Sequence, residues 1–311
     1  MSGKTAIEWA TDVWNPVTGC DRVSPGCANC YAAKMAARLK AMGDPRYQKD
    51  GARASGPGFG VTLHPDLLDL PLRWKKPRMV FVNSMSDLFH EDVPDWYIDR
   101  VFMVMARAPQ HTFQVLTKRP MRARQWAKEA QEALPLGNVW LGVSVENQRW
   151  ANERIPLLLG TPAAVRFVSC EPLLGPLDLR WSRALHWVIV GGESGAIHTR
   201  DGPERALVEQ RRHNWGEDGY CTDCSVPLEP AGNSVLDDPR VRLPRSSCKP
   251  LWRPKPQALQ WLRDIRDQCI ATGTPFFFKA WPMPPHKPGG PALLDGREWR
   301  EMPSVHGHVP T

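Results

Sequence analysis

The chain has 311 residues, of which 42% are hydrophobic, and its formal net charge is +7. This length is ample for a buried core and fits one large domain or two small ones. The sequence has no run of about 18 apolar residues and lacks the charged, apolar and small-residue order of a signal peptide. These features argue against a membrane or secreted protein, so we expect a soluble cytoplasmic protein with no membrane partner.

Short apolar, β-branched runs alternate with helix-like segments along the chain. The predicted strands are residues 7–14, 60–63, 79–83, 112–116, 139–143, 165–169, 187–190 and 275–279. The predicted helices are residues 31–42, 94–108, 121–133, 148–159 and 256–272. Strands that alternate with helices predict a parallel sheet, so we expect an α/β fold, as a (β/α)8 or incomplete TIM-like barrel. A doubly wound open sheet is the alternative.

Three cysteines follow the first predicted strand in the spacing C-x6-C-x2-C, namely Cys20, Cys27 and Cys30. Gly and Pro residues between them allow the loop to fold back, so that the thiolates can share one metal centre. A structural zinc site normally has four protein ligands, whereas a cluster used in chemistry can leave one metal position open. The pattern favours an iron-sulfur cluster. A zinc site completed by a distant ligand and three free thiols are the alternatives.

Polar residues follow most of the predicted strands, at the end where a barrel of this kind carries its active site. We expect them to lie on one rim together with the cysteine loop. The candidates for cofactor or substrate contact are Ser84, Ser86, Lys118, Ser144, Glu146, Glu171 and Glu193. Arg119 and Lys279 add charges suited to a zwitterionic ligand. For any one of these positions, a helix cap or a turn is the alternative explanation.

Residues 196–253 differ from the rest of the chain because they are polar and rich in Arg and Pro. They predict an insertion that divides a barrel domain into residues 1–195 and 254–311. Its metal-ligand candidates are His213, Cys221, Cys224 and Cys248, a zinc-ribbon-like set. Structural zinc is the favoured interpretation, and a second iron-sulfur cluster or no metal are the alternatives.

Six segments carry a resemblance to a known family. They are WNPVTGC (14–20), FVNSMSDLF (81–89), VLTKRP (115–120), LGVSVEN (141–147), FVSCEPL (167–173) and VGGESG (190–195). In these segments the chain resembles the phage-associated three-cysteine-motif family of unknown function, over all but about residues 196–253. The resemblance implies a barrel like that of radical enzymes, and a partner protein named for the same motif.

The cysteine loop, with Tyr31 beside its last cysteine, resembles that of the radical S-adenosylmethionine superfamily. That superfamily usually shows C-x3-C-x2-C, so this loop is three residues longer. The order NSMSD (83–87) followed by Thr117 and Lys118 is similar to the spore photoproduct lyases, radical enzymes that act on DNA. This similarity implies nucleic acid as the substrate class, and the net charge of +7 is compatible with it.

The resemblances together imply an iron-sulfur enzyme of the radical S-adenosylmethionine type. Cys20, Cys27 and Cys30 would hold a 4Fe-4S cluster, with S-adenosylmethionine on its fourth iron. Reductive cleavage of that cofactor would supply a carbon radical. One alternative is a non-enzymatic phage protein that binds DNA or RNA and is stabilised by structural metals. The other is an iron-sulfur redox protein that does not use S-adenosylmethionine.

Overall fold

The computed structural model describes residues 3–5, 7–51, 55–130, 135–192, 208–211, 251–254, 256–279 and 292–304. The strands are β1 (Gly3–Lys4), β2 (Asp12–Trp14), β3 (Val17–Thr18), β4 (Thr62–Leu63), β5 (Met79–Val82), β6 (Thr112–Thr117), β7 (Val139–Ser144), β8 (Val165–Cys170), β9 (Trp187–Val190), β10 (Val208–Arg211), β11 (Leu251–Pro254), β12 (Phe276–Phe278), β13 (Leu293–Leu294) and β14 (Arg297–Glu298). The helices are α1 (Tyr31–Ala41), α2 (Asp95–Arg107), α3 (Pro120–Glu129), α4 (Gln148–Leu159) and α5 (Pro256–Thr272).

An eight-stranded sheet forms the centre of the molecule, in the spatial order β1-β2-β5-β6-β7-β8-β9-β12. β1 is antiparallel to β2, and all the other neighbouring strands run parallel. This arrangement confirms the predicted α/β fold. Because β2, β5 to β9 and β12 share one direction, the polar residues that follow them emerge at the same edge of the sheet.

The membership of this sheet differs from the prediction at one edge. Of the predicted strand 60–63, only Thr62 and Leu63 are extended, and they pair antiparallel with β3 rather than joining the large sheet. The run is short, and Pro65 after His64 begins a 3-10 helix. The eighth strand is instead β1, whose two residues are too few to give a strand pattern in the sequence.

Aromatic contacts show that the sheet curls. Trp9 lies just before β2, and its ring centroid is 6.2 Å from that of Trp187 on β9. These strands are five places apart, which in a flat sheet corresponds to about 24 Å at about 4.8 Å per strand. The inner face is therefore concave, and Trp9, Phe81, Trp140, Phe167, Trp187 and Phe277 fill it. Three of the chain's 14 tryptophans are buried in this cluster.

The described strands do not close the barrel, because β1 and β12 are not hydrogen-bonded to each other. A segment near residue 300 lies beside β12 instead. Phe278 N donates to Trp299 O at 2.8 Å, and Glu301 N donates to Phe276 O at 3.2 Å. Arg300 Nη1 reaches Glu8 Oε2 at 2.5 Å, so this segment links the two sides of the sheet.

The helices lie close to their predicted positions. The buried apolar residues of α2, α3, α4 and α5 pack with the outward-facing residues of the strands in one large core, whereas those of α1 belong to a separate small cluster. Asn147 caps α4, since its side chain accepts a hydrogen bond from Trp150 N. None of the helices in the described ranges combines the length and the apolar character that a membrane span needs.

The predicted insertion is described only at β10 and β11, which pair antiparallel with Arg211 opposite Leu251. Its four predicted metal ligands, His213, Cys221, Cys224 and Cys248, lie outside the described residues, as does Glu193. The division of the chain into a barrel and an insertion stays a prediction.

Candidate functional site

The cysteine loop is anchored at the edge of the sheet where the parallel strands end. Gly19 has a φ of +88°, which favours glycine. A Cβ at this position would lie 2.3 Å from the Gly60 carbonyl oxygen. Gly19 N donates to Met85 O at 2.9 Å, and Cys20 N donates to Phe59 O at 3.2 Å. The backbone thus fixes the start of the loop between two neighbouring segments.

The three cysteines predicted as metal ligands all lie on this loop. All three are partly buried and free of disulfides. Cys27 ends a 3-10 helix, Pro25–Cys27, and Cys30 directly precedes α1. The Cys27 Sγ lies 3.7 Å from the Ser24 hydroxyl. Cys170 and Cys269, by contrast, are fully buried in the core, as the sequence predicts for thiols in apolar surroundings.

Arg119 joins the cysteine loop to the ends of two strands. Its guanidinium donates from Nη1 to Cys20 Sγ at 3.4 Å and from Nη2 to Asp21 O at 3.4 Å. On its other side Nε lies 3.1 Å from Glu91 Oε2, and Nη1 lies 3.5 Å from Asp87 Oδ2. Burial lowers the pKa of Arg119, but Asp87 and Cys20 raise it by more, so the pKa lies above its ordinary value.

The thiol of Cys20 is held in its neutral form by its surroundings. Burial, followed by the charge of Asp87, raises its pKa to about 12, against a smaller lowering by Arg119. A thiol ligates a metal as the thiolate, so binding here must displace the proton.

Glu146 is the centre of a buried ion cluster directly after β7, and its side chain is inaccessible to solvent. Its Oε1 accepts hydrogen bonds from Ser24 Oγ and Lys118 Nζ, each at 2.6 Å. Its Oε2 lies 3.1 Å from Arg154 Nη1. Burial opposes ionisation of Glu146, but Lys118 and Arg154 outweigh it, so the pKa of the carboxyl lies below its ordinary value. Ser24 belongs to the cysteine loop, so this carboxylate holds the loop to the sheet.

Gly26 lies directly against the same carboxylate. A Cβ on Gly26 would stand 2.4 Å from Glu146 Cγ and 2.6 Å from Oε1. Such distances are far inside van der Waals contact, so only glycine fits here without a shift of the loop. This close contact between the loop backbone and the carboxylate fixes the position of the loop segment that runs from Cys20 to Cys27.

A second charged pair lies further along the edge and is more open. Lys279 follows β12 and Glu171 follows β8, and the distance from Lys279 Nζ to Glu171 Oε1 is 2.9 Å. The side chain of Lys279 is 32% exposed and that of Glu171 is 17% exposed. Ser169 Oγ donates to Glu171 Oε2 at 3.3 Å. Glu171 raises the pKa of Lys279. Because this pair is partly open to solvent, it is better placed than Glu146 to meet a charged ligand.

The predicted serines make contacts within the protein. Ser84 Oγ donates to Asn15 Oδ1 at 3.2 Å, and Ser86 Oγ donates to Val17 O at 2.9 Å. Ser144 is buried at the end of β7, and its carbonyl accepts a hydrogen bond from Arg154. These contacts join the start of the cysteine loop to β5 and fix the end of β7. The cofactor contacts predicted for the three serines stay predictions.

Sequence reasoning missed four members of the site: Ser24, Gly26, Asp87 and Arg154. Asp87 Oδ1 accepts from Thr117 Oγ1 at 2.8 Å, and Asp87 Oδ2 accepts from Lys118 N at 2.9 Å. Its place in the polar stretch after β5 was a usable signal. Arg154 comes from the middle of α4, and no sequence pattern distinguishes a buried helical arginine from an exposed one.

Comparison with known proteins identifies the family. The family described as "Protein of unknown function (DUF5131)" matches residues 4–209. The chain belongs to this family. No curated protein matches it.

Solved structures of spore photoproduct lyase are similar to the chain. A cysteine-to-serine mutant of that enzyme matches at 10% identity with a TM-score of 0.49, over 90% of this chain and 79% of the other. A double mutant with bound AdoMet and dinucleoside spore photoproduct matches at 11% identity with a TM-score of 0.48, over the same shares.

Replacement of Glu146 by Ala should lower the free energy of unfolding by about 3–5 kcal/mol, because it leaves the buried Arg154 and the partly buried Lys118 without their shared partner. The pKa of Glu146 is lowered by folding, so its stabilising effect should be complete above about pH 4.5 and lost as the pH falls through the folded-state pKa. Urea denaturation of wild type and variant should therefore converge at low pH.

Glu153, exposed on α4, offers a matched control. Glu153→Ala should change the free energy of unfolding by about 0.5 kcal/mol or less. Equal effects of the two substitutions would contradict the structural role given to Glu146.

Proposed function

We propose that the protein is a radical S-adenosylmethionine-type enzyme in which Cys20, Cys27 and Cys30 hold a 4Fe-4S cluster. The observation that carries the proposal is the placement of three free thiols of one loop at the edge where seven parallel strands end. In α/β barrels this edge carries the active site.

The donor set fits this group by its chemistry. Three soft thiols suit iron-sulfur ligation, and three ligands for four irons leave one iron for a substrate or cofactor. Within the described ranges, no group of three His, Cys, Asp or Glu side chains is arranged to hold a single metal ion. In a four-iron cluster each thiolate binds a different iron, so the sulfurs stand around the cluster and do not meet at one ion.

A cluster and S-adenosylmethionine bound here would supply radical chemistry, the abstraction of hydrogen from a substrate. The residues of the chain bind and orient the reactants. Glu146, Ser24 and Gly26 fix the cysteine loop. The open pair of Glu171 and Lys279 offers a carboxylate for the amino group of S-adenosylmethionine and an ammonium for its carboxylate.

For the substrate we propose nucleic acid, on the basis of the exposed face of α1. Tyr31, Lys34 and Arg38 lie at positions i, i+3 and i+7 of this helix and are all exposed. They therefore form one stripe that starts beside Cys30, with Ala32 and Ala36 buried on the other side. An aromatic ring for base stacking next to cations for phosphates is the combination that single-stranded nucleic acid binds.

The three-cysteine-motif partner protein and the phage association stay predictions.

The first test is the cofactor content of protein purified without oxygen. About four irons and four sulfides per chain, and formation of 5'-deoxyadenosine after addition of dithionite and S-adenosylmethionine, would support the proposal. A cluster that is reduced without 5'-deoxyadenosine formation would favour the redox-protein alternative. Zinc without iron would favour the binding-protein alternative.

Replacement of Cys27 by Ala should remove most of the iron while the barrel stays folded, because Cys27 lies on a loop outside the core. Cys269→Ala is the matched control, since this thiol is buried away from the loop. Iron per chain and far-ultraviolet circular dichroism measure the two effects. Equal iron content in both variants would show that Cys27 is not a ligand.

Replacement of Gly26 by Ala should reduce iron content several-fold, because the added methyl group collides with Glu146 and displaces the loop. Gly137 has open space around its Cβ position, so Gly137→Ala should leave iron content unchanged. Iron assay and thermal melting of both variants test this. A normal iron content in Gly26→Ala would contradict the close fit of loop and carboxylate.

Reversal of charge at Lys34 and Arg38, by Lys34→Glu with Arg38→Glu, should weaken binding of single-stranded DNA or RNA at least tenfold and flatten its salt dependence. Fluorescence anisotropy at several salt concentrations measures both. The control is Lys75→Glu with Lys76→Glu, which makes the same charge change at exposed positions before β5, at the opposite edge of the sheet. Equal losses in the two double variants would indicate a general effect of net charge.

A further inference from the structure

One of the three candidate cluster ligands differs from its neighbours in its immediate surroundings. The Cys20 sulfur accepts a hydrogen bond from a guanidinium, at 3.4 Å from Arg119 Nη1. The Cys27 sulfur lies beside a neutral hydroxyl, 3.7 Å from Ser24 Oγ. The charged donor is thus directed at Cys20.

Arg119 is fixed in place at both its backbone and its side chain. Its backbone N donates to Thr117 Oγ1 at 2.8 Å, and it caps α3, whose first residue is Pro120. Its side chain is only 6% exposed, and its Nε forms an ion pair with the exposed carboxylate of Glu91. The distance between the positive charge and the Cys20 sulfur is therefore fixed.

The carboxylate of Asp87 opposes the guanidinium charge at the sulfur, but it cannot donate a hydrogen bond to the sulfur as Arg119 does. Both of its oxygens accept other hydrogen bonds, from Thr117 Oγ1, Phe89 N and Lys118 N. It lies 3.5 Å from Arg119 Nη1, which is farther than a good charge-assisted hydrogen bond. Asp87 is unchanged when Arg119 is replaced, so the loss of the guanidinium sets the change of charge at the Cys20 sulfur.

Hydrogen bonds and positive charges at the sulfur ligands favour the reduced form of an iron-sulfur cluster. Reduction adds one electron from an external low-potential reductant such as dithionite, and so one unit of negative charge beside Cys20, with no bond made or broken. A fixed cation lowers the free energy of that added charge.

We infer that Arg119 is a positioning residue that raises the reduction potential of the cluster through its contact with the Cys20 sulfur. This inference rests on the proposed function, since it requires that Cys20 ligate a cluster. It assigns to Arg119 a role distinct from the cofactor contact that sequence reasoning suggested for its charge.

The experiment is a redox titration of the anaerobically purified protein and its variants, followed by electron paramagnetic resonance of the reduced cluster. Arg119→Gln should make one-electron reduction about tenfold less favourable, which corresponds to a midpoint lower by about 60 mV. Arg119→Lys keeps the charge without the planar fork, so its midpoint should lie between those of wild type and Arg119→Gln. The matched control is Arg122→Gln, whose arginine pairs with Asp95 on α2, and it should leave the midpoint unchanged.

A second variant covers the case in which Arg119→Gln fails to load its cluster. Glu91 is 67% exposed, so Glu91→Gln should fold and load normally. It removes the anion that partly neutralises Arg119, so reduction should become about threefold more favourable, which is a midpoint higher by about 30 mV.

The outcomes separate the two proposals. Absence of an iron-sulfur cluster from the wild type would overturn the proposed function and this inference together. A wild-type cluster whose midpoint is unchanged in both Arg119→Gln and Glu91→Gln would overturn the inference about Arg119 alone. Opposite shifts in these two variants would support it.

Discussion

The burial of one carboxylate determines how the candidate site is assembled. Glu146 has no access to solvent, so its charge must be balanced by groups of the protein, and a buried ion without partners is strongly destabilising. Its partners come from three places: Lys118 after β6, Arg154 from α4 and Ser24 from the cysteine loop. The loop is therefore fixed by the same interaction that joins strand ends to a helix.

A second cluster, around Arg119, uses the same principle on the other side of the loop. Its guanidinium bridges Cys20 to Asp87 and Glu91. The loop between Cys20 and Cys27 thus lies between two sets of ion pairs whose members follow neighbouring parallel strands. A parallel sheet makes this arrangement available, because every strand delivers its last residues to one edge. The two clusters give a defined shape to a long cysteine loop that contains one short 3-10 helix, Pro25–Cys27.

The sequence predicted the parts of the fold that depend on local pattern. All five helices and seven of the strands were predicted close to their places, because buried strands such as β7 read as continuous apolar runs. The antiparallel edge strand β1 has two residues and gives no pattern. The site was predicted as a rim of polar residues, yet the serines and Glu146 turned out to bind other parts of the protein. Partner choice depends on tertiary contacts such as that between Glu146 and Ser24, which are 122 residues apart in the sequence.

The ribbon of β10 and β11 has a consequence for how the family can vary. Arg211 stands opposite Leu251, so the chain departs from and returns to nearly the same point of the molecule. Whatever lies between these two residues can be shortened, lengthened or exchanged at little entropic cost to the ends of the ribbon, since loop closure depends only weakly on length. Such a junction is a natural point for grafting, where one segment can be exchanged for another while the two strands of the ribbon stay paired.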